Sequence, residues 1–260
     1  MSGLNAYALK ARYYPALLGT IPALVALAIL ISRAKFGLTT SIASLAIPVL
    51  VFAAADMARR LGKRVENRIY AETGGKPSVT MLRYSDNTFD SASKEQYRAF
   101  LSSKLNQPAP SEQEEKDDIK AADAFYARCG AWLRENTRSS KKFPVLFAEN
   151  VTYGYRRNLL GLKWPALAGN LVLILLCAFL LQKKGTIDTD DETTIAVSIV
   201  VALAVIHSLF MAFVVTRPAV TEASRTYARQ LILSCETFLG KEKPAKLPGA
   251  PRRTVRGKTG

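Results

Sequence analysis

Four apolar runs, set as two close pairs around a charged central segment, decide what this chain can fold into. The first pair is Pro15 to Ser32 and Leu38 to Ala55; the second is Pro165 to Leu181 and Ile195 to Val215. Each run is roughly 17–21 residues, enough to carry a helix across a hydrocarbon core about 30 Å thick. The runs are apolar all round, whereas a core helix of a soluble domain shows a single apolar stripe. The expected fold class is an all-α membrane protein, with four transmembrane helices in two hairpins flanking a mainly helical cytoplasmic domain. Lys10 and Arg12 precede the first run as they would in a signal peptide. Its length, and the second run close behind it, favour an uncleaved hairpin.

The formal net charge of +15 matters mainly for where it sits. Short flanks of membrane helices keep Lys and Arg on the cytoplasmic side. Arg59, Arg60, Lys63, Arg64 and Arg68 follow the second run, Arg156, Arg157 and Lys163 precede the third, and Arg217, Arg225 and Arg229 follow the fourth. The connection between the third and fourth runs is acidic instead, with Asp188, Asp190, Asp191 and Glu192. Both termini and the central segment are therefore expected in the cytoplasm. Arg33 and Lys35, in the first loop, would have to snorkel to the outer interface.

Six segments follow. Residues 1–14 form an amphipathic arm, either lying in the interface or simply leading into the first span, and 15–57 form the first hairpin. Residues 58–163 form the helical domain and 164–216 the second hairpin. Residues 217–240 form a C-terminal helix, and 241–260 a basic, disordered tail. Within the domain, Gly74-Gly75 and Lys76-Pro77 mark a turn, and Val79 to Tyr84 reads as β-prone or extended. Asp90 or Ser91 caps a helix to about Leu105. The acidic patch Glu112 to Asp118 opens one helix running to about Thr137, and Pro144 fits the first turn of another.

Catalysis finds little to use here. The central domain has no histidine, its acidic residues form a patch rather than a pair, and Cys129 falls on an apolar helix face. The three cysteines are far apart, so neither a metal motif nor a disulfide framework is indicated. No enzyme, metal or cofactor is expected. Fixed charge is also scarce within the spans, which argues against a pump or proton-coupled transporter, and four helices are few for a transporter with midplane inverted repeats. They suffice for one subunit of a channel closed around a symmetry axis. Ser41, Ser44, Asn170, Ser198 and His207 are the pore-lining candidates. The alternative for Asn170 and His207 is a hydrogen bond between neighbouring helices.

The most unusual stretch runs from Phe143 to Pro165 and carries Glu149, Asn150, Arg156, Arg157 and Asn158 just below the third span. Paired arginines suit bidentate phosphate binding. They equally suit lipid headgroups and the fixing of topology. This stretch, with Leu82-Arg-Tyr-Ser-Asp86 and Trp132-Leu-Arg-Glu-Asn-Thr-Arg138, resembles the four-span membrane effector of Hailong-type bacterial anti-phage defence systems. The resemblance implies an oligomeric channel held shut by the nucleotide polymer of a partner nucleotidyltransferase. Arg156, Arg157, Lys141, Lys142 and Arg83 would then be the phosphate contacts. The expected function is a homo-oligomeric channel, expected as a tetramer, in the bacterial cytoplasmic membrane, gated by a nucleotide or oligonucleotide ligand. The competing expectation is a non-conducting membrane scaffold whose cytoplasmic helices dock a protein.

Overall fold

Helix is the only regular structure among the described residues. The computed structural model describes residues 6–33, 38–184 and 191–242, with side chains described over 6–29, 47–184 and 191–240. A short α1 (Ala6–Ala8) passes through a π-helical segment, Leu9–Tyr13, into α2 (Tyr14–Arg33). The chain continues through α3 (Leu38–Glu72), α4 (Pro77–Thr80), α5 (Ser91–Leu105), α6 (Glu112–Asp117) and α7 (Ile119–Asn136). It ends in α8 (Pro144–Lys184), α9 (Glu192–Phe213) and α10 (Arg217–Glu242).

Among the described residues, three helices are long and apolar enough to cross a membrane: Ala6–Ile29, Pro144–Lys184 and Glu192–Phe213. They mark the chain as a membrane protein. The apolar run Leu38 to Ala55 opens α3, but its side chains up to residue 46 lie outside the described residues, as do Lys35, Asp188, Asp190 and most of the basic tail.

The two longest helices, α3 and α8, extend well beyond their apolar halves. At 41 residues α8 is one rod of about 60 Å, and α3 likewise runs unbroken through its change from apolar to basic composition. The two rods cross at a pair of glycines. A Cβ built on Gly161 would lie 2.4 Å from the Gly62 backbone nitrogen, so only glycine permits this approach. At the next residue of α8, Leu162, the side chain would meet a Cβ placed on Gly19, bringing α2 against the same stretch of α8.

The π-helical segment has a local use. In it the Tyr14 N–H bonds back to the Leu9 carbonyl, five residues earlier. The buried Asn158 side chain of α8 donates to the Ala11 carbonyl at 2.6 Å, so a side chain satisfies backbone within the irregular segment. At the other edge, Lys163 Nζ donates to the carbonyls of Ala212 and Val215, both at 2.9 Å. It thereby satisfies orphan acceptors where α9 ends, and its charge favours that end of the helix dipole.

The domain beyond the apolar segments has one main core, built from Met81, Leu82, Leu101, Tyr126, Leu133 and their neighbours, together with Leu231, Ile232 and Cys235 of α10. Two local expectations change. Val79 to Tyr84 is not extended: Pro77 starts the short α4, Val79 is buried, and the chain then turns. Their fixed φ makes prolines good helix starters, and here that outweighs the β-branched composition. The long helix from Glu112 is divided at Asp118 (φ −141°, ψ 84°), whose carboxylate accepts from the Lys120 and Ala121 N–H groups and starts α7 afresh.

Buried charge holds the non-helical stretch 81–90 in place. Lys94 is 3% exposed and donates to the carbonyls of Arg83, Tyr84 and Asp86. Arg98 donates to the Leu82 carbonyl at 3.0 Å and stacks over the Tyr84 ring, 3.6 Å from its centre. Glu115 accepts from the Tyr84 N–H and the Tyr126 hydroxyl. Turn backbone buried without such partners would be strongly unfavourable.

Burial also silences two thiols, pushing Cys129 and Cys235 up to about 12. At pH 8 the thiolate fraction is then about one in ten thousand, and the thiolate is the reactive form. Maleimide is therefore expected to leave both cysteines unmodified in the folded protein at pH 8 and to label them only after denaturation. Mass spectrometry of the labelled peptides is the check.

Candidate functional site

Where α3 ends, its last turns face α10 across a cavity of about 780 Å³. Arg217, Thr221, Arg225 and Arg229 come from successive turns of α10, and Thr73 and Thr88 face them from the other wall. Three guanidiniums thus stand against two carboxylates, Glu72 and Glu222. Arg217 is bonded to Glu72 at 2.9 Å, and Arg229 lies 5.9 Å from the Phe89 ring centre. Arg225 is exposed and has no hydrogen-bond or ion-pair partner among the described residues. Free guanidinium, hydroxyl donors and a fixed helical spacing make this groove suited to an anion with several acceptor oxygens.

Behind the groove lies a partly buried polar lattice joining α3, α8 and α10. Arg157 pairs with Glu66 at 2.5 Å, their side chains 11% and 14% exposed. The Tyr153 hydroxyl donates to the same Glu66 oxygen at 2.7 Å. Tyr70 bridges Tyr153 at 2.7 Å and Ser224 at 2.9 Å, and the Tyr153 ring stacks on Tyr227 with centroids 6.0 Å apart. Burial raises the Tyr70 and Tyr227 hydroxyls above the ordinary phenol value, so both remain protonated donors at neutral pH.

The five residues expected to bind phosphate do not converge. Arg83 is spent on a two-pronged pair with Asp123, at 2.8 and 2.6 Å, which holds it above its usual pKa. Arg157 is spent on Glu66. Arg156 points the other way, donating to the Ala219 carbonyl at 3.1 Å. Lys141 and Lys142 are exposed before the start of α8, about 20 Å along the helix from Arg156.

Among the pore-lining candidates, Asn170 and His207 meet inside the molecule. Asn170 Nδ2 lies 2.9 Å from His207 Nδ1 and donates to Ser208 Oγ at 2.8 Å and to the Ala204 carbonyl. This is an interhelical bond between α8 and α9. Ser198 is exposed on α9, and the side chains of Ser41 and Ser44 lie outside the described residues.

The α10 groove escaped the reading of the sequence, which treated Arg217, Arg225 and Arg229 only as topology signals. A recoverable sign was present, since Arg217, Thr221, Arg225 and Arg229 recur every four residues and so share one helix face. The Glu66–Arg157–Tyr153–Tyr70 lattice had no such sign, because its two halves, Glu66 with Tyr70 and Tyr153 with Arg157, lie about ninety residues apart in the chain. Among the described residues, no group of His, Cys, Asp and Glu is placed to hold a metal ion. No protein-family model, curated protein or solved structure matches this chain.

Proposed function

We propose that this protein is a membrane-embedded receptor whose output is ion passage through a homo-oligomer. In this reading the apolar half of α3 is a fourth span beside α2, α8 and α9, forming two hairpins. The helical domain and both chain ends face the cytoplasm. The ligand is a phosphate-bearing anion in the α10 groove, of the nucleotide or oligonucleotide kind that the resemblance to Hailong-type effectors implies. The observation that carries the reading is continuity. The groove is walled by α10, which follows α9 after a three-residue turn, and by the end of α3, which runs without a break into the apolar layer. A ligand that draws α3 and α10 together thus acts directly on two membrane helices, which is a shear-type transition between packed helices.

The test uses the full-length protein in liposomes, reading potassium release as polyphosphate, ATP or a short oligonucleotide is added. The expected result is an anion-dependent change in flux that weakens as salt rises and disappears in the Arg225→Glu/Arg229→Glu double variant. A protein that is monomeric in detergent and never conducts would overturn the proposal.

One observation favours the second reading, a non-conducting scaffold. Asn170, Ser208 and the Nδ1 side of His207 meet within the protomer, and the outer faces of α8 and α9 present mainly Leu, Ile, Val and Phe. In that case anion binding persists without flux, and a protein partner is retained on the helical domain.

A further inference from the structure

A small niche lies where α8 passes the junction of α9 and α10, on a different face from the arginine groove. It measures about 200 Å³. Its lining is mostly apolar, with Leu159, Phe210, Val214 and Val220, and includes the polar side chains of Tyr155 and Arg156. The niche sits at a definable depth. Trp164 and Phe213 are each 75% exposed at this level, Val214 is 60% exposed, and Lys163 turns inward beside them to bond the end of α9. An exposed tryptophan with an adjacent lysine, at the junction of an apolar and a charged helix segment, is the signature of the headgroup layer of a bilayer.

We propose that this niche binds the head of an anionic phospholipid. The lipid phosphodiester would sit on Arg156, and the acyl chains would run outward along the exposed apolar surface at Phe213 and Val214. Arg156 uses one nitrogen, Nη1, for the Ala219 carbonyl, and the other groups of its guanidinium fork are available to phosphate oxygens. Its side chain is 42% exposed, so the charge is reachable. The competing carboxylate is Glu222, 4.0 Å away and 79% exposed, loosely enough placed to swing aside. A cavity of this volume takes a phosphoglycerol head but no whole lipid. Its largely apolar lining suits the glycerol backbone better than a free, fully hydrated phosphate ion. A lipid seated here would touch both α8 and the α9–α10 junction, linking headgroup chemistry to the packing of the spanning helices.

The experiment is native mass spectrometry of the full-length protein released from nanodiscs of phosphatidylcholine with and without phosphatidylglycerol. Phosphatidylglycerol adducts are expected to survive activation that strips phosphatidylcholine. Arg156→Gln is expected to lower their occupancy about tenfold, the scale of one lost charge-assisted hydrogen bond. Because Arg156 also bonds Ala219, Val214→Trp provides an independent variant that fills the niche and leaves the arginine in place; it too is expected to lose the adduct. Added inorganic phosphate is expected not to compete. Equal retention of both lipids, unchanged retention in both variants, or displacement by inorganic phosphate would each overturn the assignment.

Discussion

Glu66→Ala is expected to destabilise the protein by about 3–5 kcal/mol, the usual cost of leaving one member of a buried ion pair without its partner. The Arg157 and Glu66 side chains are largely shielded from solvent, and the same carboxylate also accepts from Tyr153. Without it, the guanidinium keeps the Asn158 side-chain oxygen, at 3.2 Å, and the face of the Tyr153 ring, but no carboxylate, and the Tyr153 hydroxyl keeps Tyr70 alone of its two hydroxyl partners. For a chain of this size the melting temperature is expected to fall on the order of 10 °C, measured by thermal denaturation in detergent. The Glu66→Ala/Arg157→Met double variant is expected to recover most of the loss, because it removes the stranded charge and restores apolar packing. If the single variant melts within about a degree of the parent, the lattice is not what holds α3 to α8.

Gly161→Leu is the second large effect. At this position a Cβ would lie 2.4 Å from the Gly62 nitrogen and 2.8 Å from its Cα, and backbone cannot rotate out of the way as a side chain can. The two long rods must separate, at a cost of about 3 kcal/mol or more. The matched control is Gly169→Ala, two turns further along the same helix, where a Cβ would meet nothing within 4 Å. That substitution is expected to be neutral or to stabilise by up to about 1 kcal/mol, because alanine is the better helix former. Equal melting temperatures for the two variants would remove the glycine crossing from the account.

Much of the helix plan was legible in the sequence because its signals are local. Asp90 caps α5 through the Ser93 N–H, and Leu105 ends it before Asn106 adopts a left-handed conformation (φ 48°), as the polar boundary residues suggest. Long apolar runs announce candidate spans by composition alone, and the sequence holds no Pro or Gly pair between Ala55 and Gly74 that would end α3 early. What could not be read depends on partners distant in sequence. The π-helical segment looks like ordinary amphipathic helix until Asn158, 147 residues away, takes the Ala11 carbonyl. The break at Asp118 is a contest between propensity and capping that the apolar spacing does not register. The engagement of the phosphate-contact candidates was illegible for the same reason. Arg83, Arg156 and Arg157 look free as a list of cations, and only the fold reveals that Asp123, Ala219 and Glu66 engage them.

The place of α10 in the domain core sets an order of events during biosynthesis. Phe100, Phe125 and Leu133 leave the ribosome long before Leu231, Ile232 and Cys235, which complete their packing. Between them the chain must thread α8 and α9 into the bilayer. Residues 77–146 therefore spend the interval as a half-built core with apolar faces uncovered, the kind of species that aggregates or recruits chaperones. Final closure comes only once α10 has been made, so the domain becomes competent only after α8 and α9 have been synthesised. A ribosome stalled before Arg217 would leave a membrane-inserted chain with an open core, marked for quality control.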